Sequence, residues 1–247
     1  MKIVGVIPAR YASTRFPGKP LADIHGKPMV WWVYNQVKKA SKLDEIYVAI
    51  DDERVAEICK KYNMNFKMTS PSHKTSTERV NEVASLVDAT VYVCVNGDEP
   101  LIDPRVIDAI IPSSVDEFFA ANLMTEIKSP VEVVDNTNIK VVTDDFFNAI
   151  FMSRSPIPYP RANMDYTYYK HIGVLAYTKE ALNFFASTPK GKNELVEDIN
   201  ELRFIEYGKN LKMIEVETEV LSVDTPKDLE YVCEKIKLEA GGVNYDF

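Results

Sequence analysis

The chain has 247 residues, 46% of them hydrophobic, enough for a substantial buried core in one large α/β domain or two small ones. Its 37 acidic and 29 basic residues leave a net charge of −8, which excludes a general electrostatic grip on nucleic acid and requires that any anion be met by cations gathered locally. Cys59, Cys94 and Cys233 lie far apart without Cys/His pairing, and no apolar run approaches the ~20 residues of a membrane span. Reduced thiols, no cationic leader and no membrane segment together predict a cytoplasmic protein.

In chain order, residues 3–7 read as a fully buried strand that runs into V-I-P-A-R-Y-A-S-T-R-F-P-G-K-P over residues 6–20. This loop gathers Arg10, Arg15 and Lys19, with Ser13, Thr14 and Gly18 among them. A loop leaving the carboxyl end of the first strand of an α/β sheet opens at the crevice where such folds bind ligands. The planar fork of Arg and the mobile charge of Lys suit a polyphosphate, and small residues let the backbone come close. A solvated basic loop is the alternative.

Residues 28–40 follow as a helix with Pro at its start, 45–50 as a second buried strand, and Asp51 and Asp52 as caps of a helix over 53–62. With a short strand at 65–68, this βαβ alternation implies a parallel sheet with right-handed crossovers. A polar stretch, 69–80, leads into a helix over 78–86 capped by Ser76 or Thr77, with Arg79 in its first turn and His73 in the loop before it. The strand over 90–95 ends in N-G-D-E-P, so Asp98 sits just past a buried strand. Such a carboxylate is placed to hold a nucleotide-bound magnesium, for which one or two carboxylates suffice, or else to cap the helix that follows Pro104.

Residues 118–148 are strand-rich, and 148–160 carry three prolines that forbid a regular helix or central strand. Arg154 and Arg161 flank these prolines, and Tyr159, Tyr166, Tyr168 and Tyr169 make the segment aromatic enough to meet a partner subunit. A strand over 170–177, helices over 180–186 and 193–207 and an edge-like strand over 213–217 come next. The run L-S-V-D-T-P-K-D-L ends a strand at Asp224, the second strand-end carboxylate, and starts the last helix through Pro226.

Seven ordered blocks, I-P-A-R-Y-A-S-T-R-F-P-G-K-P-L, I-H-G-K-P-M, T-E-R-V-N-E-V, N-G-D-E-P, M-S-R-S-P-I-P, K-H-I-G-V and V-D-T-P-K-D-L, resemble the cytidylyltransferases that activate 3-deoxy-manno-octulosonate (Kdo), with the CMP-sialate synthetases more distant. The resemblance spans nearly the whole chain. It implies one domain over 1–247 with a Rossmann-like nucleotidyltransferase fold, a mostly parallel sheet with helices on both faces, and an arm over 118–177 that builds a homodimer. It also implies transfer of CMP from CTP to the anomeric hydroxyl of a sugar acid, with release of pyrophosphate and Mg2+ as cofactor.

By the same resemblance, Arg10, Ser13, Arg15 and Lys19 bind the triphosphate, Asp98 and Asp224 hold the metal, and Pro8, Ala9, Thr77 and Arg79 lie near cytosine and ribose. Arg154 and Arg161 match the family's basic arm and His171 its sugar-side histidine. The departures concentrate on the acceptor side: Asn96 stands for the family's Gln, Ser76 for Gly, Leu175 for Tyr, and Asn200-Glu201 for Glu-Gln. They predict poor use of Kdo beside a related acceptor such as 8-amino-Kdo, a nonulosonate or a phosphonate. A non-catalytic nucleotide-binding protein is the remaining alternative, and two carboxylates facing a polyanion argue against it.

Overall fold

The computed structural model describes residues 1–12, 16–162 and 165–240. The parallel half of the sheet is built from β1 (Ile3–Ala9), β4 (Glu45–Ile50), β5 (Phe66–Met68) and β6 (Val91–Val95). Between β1 and β4 lie a 3-10 turn (Lys19–Leu21), the two-residue strands β2 (Asp23–Ile24) and β3 (Lys27–Pro28), and α1 (Met29–Val37). The other crossovers are α2 (Glu53–Lys61) and α3 (Ser76–Leu86), and α4 (Pro104–Ala109) leaves β6. The second half comprises β7 (Ala120–Glu126), α5 (Pro130–Val134), β8 (Lys140–Thr143), β9 (Ala149–Ser153), β10 (Tyr169–Tyr177), α6 (Lys179–Ser187), α7 (Lys192–Glu197), α8 (Leu202–Glu206), β11 (Lys212–Glu215) and α9 (Pro226–Ala240).

The strand order is β11-β7-β10-β6-β1-β4-β5, with β8 and β9 continuing from the start of β10. β10 runs against both β6 and β7, so the sheet is mixed although the β5-β4-β1-β6 half is parallel. Side chains alternate between two cores, as the period of a strand requires. Ile3, Ile7 and Ala9 of β1 pack with Val30, Val33 and Val37 of α1 on one face, while Val4 and Val6 pack with Val80, Val83 and Ala84 of α3 on the other. Each fully buried aliphatic side chain contributes about 1.5–3 kcal/mol, so the near-continuous apolar runs of β1 and β6 are what fix the sheet. A smaller cluster of Val223, Val232 and Ile236 against Ile24, Met29 and Trp32 seats α9 on α1 and brings the end of the chain back to the loop after β1.

Several local expectations are corrected. Asp52 alone caps α2, accepting from the Arg54 N–H at 2.9 Å. The cap of α3 is Thr75, paired with Glu78 in a reciprocal capping box, so neither Ser76 nor Thr77 has that role. Asp103 caps α4, which frees Asp98 from helix capping. The span 193–207 is two short helices, because Asp198 adopts the left-handed conformation (φ 52°) and ends α7. Residues 221–224 are not a strand. Within the segment 118–177, β7 and β10 lie in the central path of the sheet, α5 is helical, and the β8–β9 hairpin pairs onto the start of β10.

Candidate functional site

The carboxyl ends of β1 and β6 make the floor of the site. β1 pairs with β6 only through Val6, so Pro8, which has no N–H to donate, lies past that ladder. There the turn after β6 comes very close: a Cβ on Gly97 would stand 2.6 Å from the Pro8 carbonyl oxygen. Only glycine fits, and the turn delivers Asp98 beside the start of the loop. The Asp98 carbonyl accepts the Val223 N–H at 2.8 Å, and this pin, with the burial of Val223, draws Asp224 to the same place.

Lys19 closes the group. Its Nζ donates to Asp98 Oδ2 at 2.8 Å, to the Val223 carbonyl at 3.0 Å and to Asp224 Oδ1 at 3.3 Å. The Lys19, Asp98 and Asp224 side chains are 17%, 24% and 34% exposed, so this is a partly buried ion cluster and not a surface pair. Gly18, at φ 71°, donates to the Tyr11 carbonyl at 3.0 Å and folds the loop so that Lys19 points back to the sheet. Ser13 and Arg15 lie outside the described residues. Among the described residues no group of three or more His, Cys, Asp and Glu is assembled for a metal. Asp98 and Asp224 nonetheless flank one ammonium, and two such hard-oxygen donors fit a magnesium whose remaining ligands are phosphate oxygens and water.

The other wall is supported from below. Arg10 is exposed at the end of β1. Arg79, 2% exposed, spends its guanidinium on Asp51 Oδ2 at 3.0 Å and on Thr69 Oγ1. Asp51 in turn accepts the Tyr11 N–H at 2.9 Å, and the Arg54 guanidinium stacks 3.4 Å above the Tyr11 ring. Burial pushes the Arg79 guanidinium below its ordinary pKa, Asp51 opposes this, and neighbouring Arg10 adds to it. Arg79 therefore braces the loop through Asp51. Thr77, 1% exposed, faces the Tyr177 hydroxyl at 3.4 Å inside the core.

On the third side β10 passes the N-G-D-E-P turn. The Asn96 N–H donates to the Gly173 carbonyl at 2.9 Å, and a Cβ on Gly173 would lie 2.6 Å from both the Asn96 amide and the Glu99 carboxyl. Glu99 accepts the Gly173 N–H; burial, then the charge of Asp98, raises its pKa to about 8. His171 lies two residues before Gly173 in β10, half-buried, with Nδ1 3.2 Å from Asn122 Oδ1. Burial, then the Arg154 charge, lowers its pKa to about 4, so the ring is neutral.

The remaining acceptor-side candidates lie on α3, on β10, past the end of β9 and in the turn into α8, and Arg154 is near enough to act on both His171 and Glu201. Leu175 is 2% exposed in the α3-side core. Glu201 is 6% exposed near Tyr177 and Cys94, with its pKa raised to about 7 chiefly by burial, while Asn200 caps the turn into α8 through its carbonyl. Ser76 lies in the first turn of α3 beside Cys94. Arg154 donates to the carbonyls of Glu197, Asn136 and Asp198, clamping the end of β9 to the end of α7. Arg161 is exposed on the loop beyond it.

Sequence reading missed Asp51 as a loop brace, Glu99 as a buried carboxyl and Asn122 as the partner of His171. A signal existed for two of them. Asn122 interrupts the apolar strand A-A-N-L-M, and Glu99 sits in a turn that must pack, so each polar group needed a buried partner.

A family model described as cytidylyltransferase matches residues 4–214, a span that includes Lys19 and Asp98 but stops short of Asp224. The chain is 43% identical to a 3-deoxy-manno-octulosonate cytidylyltransferase of Geobacter metallireducens, over 96% of this chain and 98% of that one. It is also 43% identical to an 8-amino-3,8-dideoxy-manno-octulosonate cytidylyltransferase of Shewanella frigidimarina, over 93% of this chain and 96% of that one. A solved structure of CMP:2-keto-3-deoxy-manno-octonic acid synthetase complexed with CTP superposes with a TM-score of 0.90 at 36% identity, covering 97% of this chain and all of that one. On these matches, and on the nucleotidyltransferase architecture of its sheet, the chain belongs to the cytidylyltransferase family and is a nucleotidyltransferase.

Proposed function

We propose that the protein transfers CMP from CTP to the anomeric hydroxyl of a Kdo-type 3-deoxy-2-keto sugar acid. The observation that carries this reading is the cluster of Lys19 between Asp98 and Asp224 at the carboxyl edge of the sheet. The relative named for Kdo and the relative named for its 8-amino analogue match equally well, so the acceptor class is the sugar acid common to both. The acceptor hydroxyl attacks the α-phosphorus in line, the new P–O bond forms as the bond to the β-phosphate breaks and pyrophosphate departs, and the hydroxyl proton passes to solvent. Lys19, with Arg10 at the end of β1, offsets the charge that gathers on the departing pyrophosphate. Asp98 and Asp224 would hold Mg2+. The ion would supply Lewis-acid polarisation of the phosphates and a lower pKa for the attacking hydroxyl. Gly97 and the brace from Asp51 to Tyr11 keep these groups in register, and no covalent enzyme intermediate is required.

The protein works in the cytoplasm as a homodimer through the β8–β9 hairpin and the loop after it. No helix among the described residues is long and apolar enough to cross a membrane. Pyrophosphate release with CTP and Mg2+ across Kdo, 8-amino-Kdo, a nonulosonate and a phosphonate tests the reading. Turnover with one of the first two at least tenfold above the rest is expected. Preference for the nonulosonate or phosphonate, or no release with any acceptor, would overturn it.

A further inference from the structure

β10 carries two residues more than β7 between the paired positions His171↔Met124 and Leu175↔Asn122, so the carbonyls inside this bulge lose their regular ladder partners. Asn122, fully buried in β7, replaces them: its Nδ2 donates to the Ile172 carbonyl at 2.8 Å and to the Val174 carbonyl at 3.0 Å. An amide nitrogen has two hydrogens, and both are now used. The atom left to face His171 is an oxygen, which only accepts. It stands 3.2 Å from His171 Nδ1. Turning the amide over would press an oxygen against two carbonyl oxygens, so the orientation is fixed by satisfaction of the bulge and not by choice.

We infer that Asn122 is a positioning residue that locks His171 as the Nδ1–H tautomer, so that Nε2 accepts a hydrogen bond from a hydroxyl or amine of the sugar acid and turns away its carboxylate. This rests on the proposed sugar-acid activity for its substrate half and on geometry alone for its tautomer half. In a neutral imidazole one nitrogen donates and the other accepts, so a proton held at Nδ1 leaves a lone pair at Nε2. Among the described residues no hydrogen bond engages Nε2, and no buried side-chain nitrogen or oxygen lacks a partner, so Nε2 opens to solvent. It does so two residues from Gly173, whose carbonyl and N–H are held by Asn96 and Glu99 beside Asp98. An ionised carboxylate has no hydrogen to give such a nitrogen, whereas hydroxyl and ammonium groups do. A site built on that distinction discriminates strongly between acceptors.

The chain has three histidines, so long-range 1H–15N spectra of full-length protein labelled at histidine can be assigned with one His171→Gln spectrum. Wild type at pH 7 is expected to show His171 protonated at Nδ1, and Kdo is expected to shift Nε2 while the proton stays on Nδ1. In Asn122→Leu the tautomers should mix, with KM for Kdo raised at least tenfold and KM for CTP changed less than twofold. If that variant does not fold, the wild-type spectra with and without Kdo decide. A proton on Nε2 in the free enzyme, or its transfer to Nε2 on binding, would overturn the inference even if the enzyme turns Kdo over. An Nδ1–H signal in an enzyme that uses no sugar acid would overturn its substrate half and the proposed function together.

Discussion

Lys19 shows how one residue's position decides a chemical role. A lysine in a solvated loop would leave Asp98 and Asp224 to repel one another, whereas here its ammonium lies between them and the three side chains act as one unit. Ligand that binds only the folded state stabilises it by about 2.7 kcal/mol at a hundred times its Kd. CTP with Mg2+ is therefore expected to raise the melting temperature of the wild type and to do so much less in Asp98→Asn or Arg10→Ala. Equal shifts in calorimetry for all three proteins would remove these residues from the triphosphate site. Glu201 makes a second residue-scale case. Its pKa is raised from the ordinary 4.5 to about 7, first by burial and then by the charge of Glu194, with Arg154 opposing. The folded state then binds more protons than the unfolded one between these values, so the stability this group contributes is lost as pH rises from about 4.5 to 7. At roughly 1.4 kcal/mol per unit the loss is about 3 kcal/mol. Glu201→Gln should be more stable relative to wild type at pH 8 than at pH 5 by that order, read from urea midpoints, and a pH-independent difference would contradict it.

Among the elements, the turn after β6 carries the tightest constraint. An alanine at position 97 would need its Cβ where the Pro8 carbonyl already stands, and a backbone atom at 2.6 Å cannot swing away as a side-chain tip can. Overpacking of this kind costs about 1–3 kcal/mol. Gly97→Ala is expected to lose stability in that range and to lose activity beyond it, because the shift is passed to Asp98. Melting and turnover both equal to wild type would show that β1 and β6 can separate freely. The sequence made the alternating elements legible because β1, β4 and β6 are near-continuous apolar runs between turn residues. Caps and breaks were misplaced by a residue or so at α2, α3 and α7. At each point two neighbouring polar residues compete for the same orphan N–H groups, or one residue turns left-handed, and only packing selects between them.

For the whole molecule, exposed apolar surface is what the proposed homodimer would cover. Phe146, Ile150 and Tyr159 are 75%, 54% and 81% exposed on or beside the β8–β9 hairpin, and Val131 and Val134 of α5 are 74% and 69% exposed. Patches of this sort mark interfaces in soluble proteins. Sedimentation at micromolar concentration is expected to give twice the monomer mass of 28.0 kDa, and Ile150→Glu to return it to the monomer. A monomeric wild type would rule out the dimer.

The sequence by itself determined the α/β alternation, the basic loop after the first strand, the two acidic turns at Asp98 and Asp224, and through its ordered blocks the family. These are local or linear properties, fixed by hydrophobic period, turn chemistry and order along the chain. Tertiary structure alone decided which polar groups meet. Lys19 and Asp224 are 205 positions apart and touch because Val223 is pinned to the Asp98 carbonyl and buried under α9. Leu175 and Thr77 fell into the core, and Arg79 and Arg154 were turned to internal carbonyl and carboxylate partners. A buried donor or acceptor must be satisfied by whatever the folded chain places within reach, and sequence spacing carries no record of that distance.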